Sequence, residues 1–470
     1  MRSIISTLFL LFLVNLSISQ IDSVGIEFQG EIEFPSQFLQ LKSSISSRID
    51  NRNNGYLYSA NLIFGLGIYD ISDPSNIEML LDIEISTFEG LSVSTLQQVD
   101  NFLFVGLGDF QKENPASGLA IINVTIPENP ILQDIWTSAD FIFGVSHLDI
   151  YDGIAYLSMM DDGLLILDVN NVDDIQFVSS YIPDLTFPAT SDGHHNGRGI
   201  TKSGDILYYT FDRGGLRAID VSDIYHPEEI QKYINPDLID KATAAYNDVI
   251  VIGNYAYVSV DYCGMEVLDI STDPWTLVEW YDPVDCQGFN WFGADVHTNE
   301  VVTACNDSLL YISGGNSEVI VFDISDPLEL KRVGRFFELN NELAAYGLHV
   351  LDDKISVSYI NNPLNIPYVG NWGRLKLLSF TKMTATSLND VENNSPSVFF
   401  PNPAYSYIEI ANYNGINAIS LFTLEGRFIK NFNLLEIENG RIDIRHWSNG
   451  TYLLKWESNT KSFSDIIVKF

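Results

Sequence analysis

The residues best suited to chemistry are unevenly placed. Seven histidines occur in 470 residues, and five of them (His147, His194, His195, His297 and His349) fall among turn residues and carboxylates. The stretch from Asp192 through His194, His195 and Asn196 to Arg198 is the densest. Asp161 and Asp162 form a pair, Asp212 adjoins Arg213, and Asp248, Asp261 and Asp295 stand near further turns. Imidazoles and carboxylates that converge can hold a metal, and a divalent cation is the cofactor such a cluster would take. An imidazole that titrates near neutrality can also move protons. The plainer reading is that His147 and His349 are hydrogen-bonded residues filling space. The spacing fits no HExxH, no paired CxxC and no calcium loop. Gly-x-Ser-x-Gly is absent as well, so no catalytic residue is assigned. Aromatic residues in one long connector, Phe289, Trp291 and Phe292, and Tyr368 and Trp372 in another, would suit a sugar ring or a protein partner. Packing over the loop base is the alternative.

These residues recur at intervals because the elements that carry them recur. A short Tyr-rich strand is followed by a turn, then by Gly and an alternating strand ending in Asp-hydrophobic-Ser/Asn. The clearest copies run from Gly67 through Asp70 to Pro74 and from Glu318 through Asp323 to Pro327. Gly215–Asp223, Gly264–Ser271 and Gly163–Asn170 match closely, while Gly118–Val124 and Gly373–Phe380 are weaker. Successive Asp positions lie 53, 45, 52, 49, 54 and 56 residues apart, room for about four short strands each. Strand-only units of that period predict propeller blades, and seven units predict seven blades. The recurrent Asp reads as turn chemistry, its carboxylate accepting from backbone N–H groups just ahead.

The seventh unit has no fourth strand before the polar stretch Thr381–Ser397. Ile26–Phe34 alternates like a strand and has no blade of its own, so it is expected to supply the missing outer strand. In this arrangement the turns between second and third strands and the connectors between blades share one face. The histidines and carboxylates above are expected to line that end of the central channel.

The Tyr-rich strand followed by Gly-x-hydrophobic-x-hydrophobic-Asp-hydrophobic-Ser-Asp-Pro resembles the LVIVD repeats of bacterial surface propellers over about residues 40–380. The resemblance implies an extracellular β-propeller and no agreed activity.

The ends of the chain concern delivery. Residues 1–19 have a basic start at Arg2, an apolar run from Ile4 to Val14 and small residues at Ser17 and Ser19, as a secretory signal peptide does. From Val398 onward seven Lys/Arg balance seven Asp/Glu, whereas the whole chain carries −37. That shift marks a boundary, and Thr381–Ser397 reads as a linker. Short alternating strands after it, with turns at Asn439-Gly440 and Asn449-Gly450, predict a small Ig-like β-sandwich. The segment is similar to the type A C-terminal sorting domain of the type IX secretion system. The matching motifs are Phe-Pro-Asn-Pro-Ala at Phe400–Ala404 (Pro401, Asn402, Pro403), Leu-Glu-Gly-Arg with Gly426 and Arg427, Ser-Asn-Gly-Thr-Tyr with Asn449 and Gly450, and the end Val468–Phe470. The resemblance implies handling by the type IX machinery, passage through periplasm and outer membrane, and a secreted or cell-surface destination.

The expected fold is all-β, a seven-bladed propeller over 20–380, a linker over 381–397 and a sandwich over 398–470. The acidity excludes nucleic acid, whose phosphates call for Lys and Arg. No segment is apolar for long enough to span a membrane. Export permits a disulfide. Of the three cysteines, Cys263 and Cys286 are the preferred pair and Cys286 and Cys305 the alternative. The favoured function is binding of an extracellular protein or glycan at the face carrying His147, Asp161, Asp162, His194, His195, Arg198, Asp212, Arg213, Asp248, Asp261, Trp291, Asp295, His297 and His349. The alternative is a metal-assisted hydrolase or lyase acting on a polymer there, and a purely structural adhesin module is a third reading.

Overall fold

The computed structural model describes residues 21–32, 43–109, 116–188, 195–241, 244–282, 286, 298–304, 308–314, 317–336, 343–360 and 373–384. Toward the C-terminus it describes 399–400, 407–410, 416–423, 428–432, 441–448, 450–458 and 462–469. The leader (1–19) lies outside these residues, as does most of the linker. The chain divides into two compact units, Met1–Ala385 and Thr386–Phe470.

The first unit is a seven-bladed β-propeller of seven four-stranded antiparallel sheets. Blade one shows the pattern, with Ser46–Ile49 innermost, then Tyr56–Ala60, Leu66–Asp70 and outermost Glu78–Ile83. The inner strands of blades two to seven are Val93–Val99, His147–Tyr151, Ile200–Ser203, Tyr246–Ile252, Thr298–Ala304 and Ala345–Leu351. Blade seven takes its outer strand from the start of the chain. Ile21–Ile32 pairs antiparallel with Leu375–Thr384, and Gln29 Nε2 donates to Ser379 Oγ at 2.7 Å.

Seven clusters of buried apolar residues among the described positions each fill one gap between neighbouring blades. The gap between blades seven and one holds Ile49, Leu57 and Tyr69 against Leu375, Leu377 and Ile32, so the N-terminal strand also packs the seam. Period-two alternation supplies both faces of each sheet, which is why the strands read as nearly continuous Leu, Ile, Val and Tyr.

The repeat's other residues explain themselves locally. Asp70, Asp168, Asp220, Asp269 and Asp323 each accept a backbone N–H two residues ahead through Oδ1, closing an Asx turn. Gly215 and Gly264 sit at φ 78° and 79°, and a Cβ there would lie about 2 Å from the carbonyl oxygens of Tyr233 and Tyr281. The turn can therefore carry no side chain.

A belt of hydroxyls joins the blades. Ser94 donates to Val145 O, Ser146 to Gly197 O, Thr210 to Asn247 O, Ser259 to Asn299 O and Ser313 to Tyr346 O. Ser358 donates to Ser47 Oγ at 3.0 Å across the closing seam.

The second unit has two antiparallel sheets, one of Phe399–Phe400, Tyr407–Ile410 and Arg441–Asp443, the other of Phe428–Phe432, Ile416–Thr423, Gly450–Ser458 and Ser462–Lys469. Their shared core includes Ile408, Ile419, Leu421, Ile442, Leu454 and Ile467, with Trp447 packed edge-on against Tyr452.

Candidate functional site

Each inner strand pairs on one side only, so its other edge faces the axis with backbone groups that need partners. Side chains of the preceding blade provide them. Gln97 Oε1 accepts from Ile150 N at 3.1 Å, Asp149 Oδ2 from Lys202 N at 3.0 Å and Asp248 Oδ2 from Val301 N at 3.0 Å. Glu300 Oε2 accepts from Leu348 N at 2.7 Å, and His349 Nδ1 from Ile49 N at 3.1 Å. The last bond fixes the His349 tautomer, leaving the proton on Nε2.

Within this girdle is a cavity of about 360 Å³, lined by Arg48, His147, Asp149, Asp248, Glu300 and His349, with Gln97, Thr201 and Thr303 alongside. A small recess at its edge is bounded by His147, Arg198, Asn299 and Tyr346.

The ionisable groups here are engaged to different degrees. Asp248 uses both oxygens on backbone, Oδ1 with Val249 N at 2.9 Å and Oδ2 with Val301 N. Asp149 holds Lys202 N on Oδ2 and Gln97 Nε2 on Oδ1. Glu300 has one oxygen bonded. Arg48 donates through Nη1 to Ser47 O at 2.8 Å and, more distantly, to Ser46 Oγ. Among the described residues its Nε and Nη2 donate to nothing, and neither nitrogen of His147 has a hydrogen-bond partner.

Burial dominates the titration of these groups. It drives the His147 and His349 imidazoles down to about 3, with the Arg48 charge adding to the effect. Both rings are therefore neutral at physiological pH, and neither is poised to exchange protons near pH 7. Burial and then the Glu300 charge push Asp248 well above the carboxylate range, against its backbone donors and Arg48. Burial also raises Glu300, and Arg48 and the Leu348 N–H pull it back. Burial lowers Arg48, which Glu300 and then Asp248 support. Among the described residues no group of three or more His, Cys, Asp or Glu is arranged to hold a metal ion.

Of the residues singled out from sequence, His147, Arg198, Asp248 and His349 meet at the channel. The others that are described have duties elsewhere. Asp162 Oδ2 accepts from Ile142 N and Phe143 N, pinning a connector. Asp212, at φ 49°, accepts from Asn196 Nδ2 at 3.0 Å, and Arg213 Nη2 donates to Ile239 O. Asp161 and Asp261 occupy turns of blades three and five. His195 Nε2 lies 3.0 Å from Phe187 O and its ring rests on Phe211, away from the axis. His349 is the fifth residue of its strand, not the first. Cys263 and Cys286 are joined, their Cα atoms 4.4 Å apart, tying a turn of blade five to the connector beyond it. His194, Trp291, Asp295 and His297 lie outside the described residues, as do Pro401, Asn402, Pro403, Gly426, Arg427 and Asn449. Gly450 begins a strand.

Arg48, Asp149 and Glu300 are the channel residues that sequence reasoning passed over. Glu300 carried a usable signal. Its N–H donates to Ser313 Oγ as the N–H of Asp248 donates to Ser259 Oγ, so the two stand at one place in the repeat.

Residues 398–469 match the secretion-system C-terminal sorting domain family, and residues 53–83 and 245–279 match the LVIVD repeat. No curated protein matches. Among solved structures, the WD40 repeats of RRP9 align with a TM-score of 0.51 at 10% identity, covering 77% of this chain and 100% of that one. A chain of the mitotic checkpoint complex gives 0.48 at 12%, covering 81% and 98%. PorZ of Porphyromonas gingivalis, a surface component of the type IX secretion system, gives 0.40 at 11%, covering 88% and 64%. The chain thus carries LVIVD repeats on a propeller together with a type IX sorting domain. It is exported to the cell surface or beyond. Among the described residues no helix is long and apolar enough to cross a membrane.

Proposed function

We propose that the exported propeller is a binding module for an extracellular glycan, engaged where the inner strands surround the channel. The observation that carries this is the contrast in satisfaction around the cavity. The framework hydrogen bonds are made, yet His147, the Nε2 of His349 and part of Arg48 face open space without partners. Buried polar groups normally find partners, so a rigid site that leaves several open suits a polar ligand. The cavity sits near the lower end of small-molecule pockets, which run about 300–1,000 Å³. That size admits a sugar unit and excludes a folded protein surface.

A glycan array probed with the full chain and with a His147→Ala/His349→Ala variant tests this. Selective glycan binding that the double substitution removes is the expected result. Capture of an extracellular protein with no glycan bound would replace the glycan by a protein ligand, and binding of neither would leave a structural module.

A further inference from the structure

The groups that remain open in the channel are not a random sample. The carboxylates are largely occupied, both oxygens of Asp248 and of Asp149 and one of Glu300 being held by N–H donors of the ring. The donors are the ones left over. The Nε and Nη2 of Arg48 form the free edge of a guanidinium fork, and the Nε2 proton of His349 and the imidazole of His147 line the same cavity. A guanidinium edge with two parallel N–H groups matches a carboxylate better than any other common organic group. The remaining lining offers Thr201 and Thr303, and Glu300 retains one oxygen that can accept from a hydroxyl. The chain's charge of −37 opposes the approach of densely charged polyanions, which favours a ligand with one negative group on an otherwise neutral body.

We infer that the channel takes the uronic acid unit of a glycan, its carboxylate on the free edge of Arg48 and its hydroxyls on Glu300, His349 and the threonines. This rests on the glycan reading and adds the chemistry that selects among glycans.

Calorimetric titration of the full chain with glucuronate, glucose and acetate, repeated with Arg48→Met, tests it. Glucuronate is expected to bind, with glucose and acetate each weaker. Arg48→Met should weaken glucuronate about tenfold to hundredfold, the value of a charge-assisted pair. Arg48→Lys keeps the charge and loses the fork, so its affinity should fall between the two, and it serves if the methionine variant fails to fold. Equal binding of glucose and glucuronate, unchanged in Arg48→Met, would overturn the carboxylate assignment and leave the glycan reading standing. Equal binding of acetate and glucuronate would show an unselective anion site and overturn it too. Binding of none of the three, with a blank glycan array, would overturn both.

Discussion

Two arginines in the propeller sit in opposite circumstances. Arg217, on the third strand of blade four, has a side chain with no exposure and every nitrogen engaged. Its Nη1 donates to both Glu229 oxygens at 2.9 and 3.2 Å, Nη2 to Phe187 O and Asp184 O, and Nε to Gly214 O. Arg48, on the inner strand of blade one, is half-buried in a cavity and donates from Nη1 alone. Both are cations beside carboxylates. Only the hydrogen-bond inventory tells them apart, and it separates a residue that holds a loop in place from one that waits for something.

The largest effect expected from this contrast is on stability. Arg217→Met strands Glu229 in the interior and should cost about 3–5 kcal/mol in chemical denaturation. Arg217→Met combined with Glu229→Leu should recover much of that loss, since neither charge remains. If Arg48→Met proves as destabilising as Arg217→Met, the distinction collapses.

Glu266 extends the comparison to a carboxylate. It is fully buried, receives Asn235 Nδ2 and the Tyr246 hydroxyl, and is raised by burial to about 7. A carboxyl whose folded pKa exceeds its unfolded value binds its proton more tightly when folded. Its contribution is complete below the unfolded pKa and is lost as pH rises through the folded one. Unfolding free energy should therefore fall by up to about 3 kcal/mol between pH 4.5 and 7 on this account. Comparing denaturation curves of wild type and Glu266→Gln across that window isolates the effect, which the variant should lack.

Ser259→Ala removes one link of the belt, leaving Asn299 O and Asp248 N without the hydroxyl, and should cost about 1–2 kcal/mol by the same measurement. Smallest of all, Arg48→Met should shift the denaturation midpoint by less than about 1 kcal/mol, because a solvated cavity already tolerates its partly open bonding. A small stability change beside a large loss of glucuronate binding is the signature that would sharpen the contrast.

The ring is legible in the sequence because its signal is repetitive. Asp, Gly and Tyr recur at a fixed interval, and each acts within its own blade, so one copy explains the next. The channel is legible only in part. His147, Asp248 and His349 stand out as residue types, but Arg48 lies in Ser46–Ile49, ahead of the first clear repeat, and nothing local marks it. Its neighbours Glu300 and Asp248 are some 250 and 200 residues away and meet it only across the finished ring. The serines tell the same story. Ser59, Ser158, Ser259, Ser313 and Ser358 recur visibly, yet the groups their belt joins belong to different blades. Turn aspartates such as Asp162 and Asp212 mislead for the converse reason. A carboxylate that caps a loop and one that binds a ligand look alike until the N–H groups around them are placed.

The seam at blade seven bears on how the chain comes to be folded at all. Ile21–Ile32 completes a sheet whose other strands begin at Ala345, and the Gln29–Ser379 bond spans 350 residues. A polypeptide delivered from its N-terminus has no place for that first strand until nearly all the rest has emerged. Contacts so distant in sequence form late, since closing a long loop is entropically expensive. The ring should therefore mature in one late step, and a chain interrupted before Leu375 would hold six potential blades and an open, unpaired strand at its beginning.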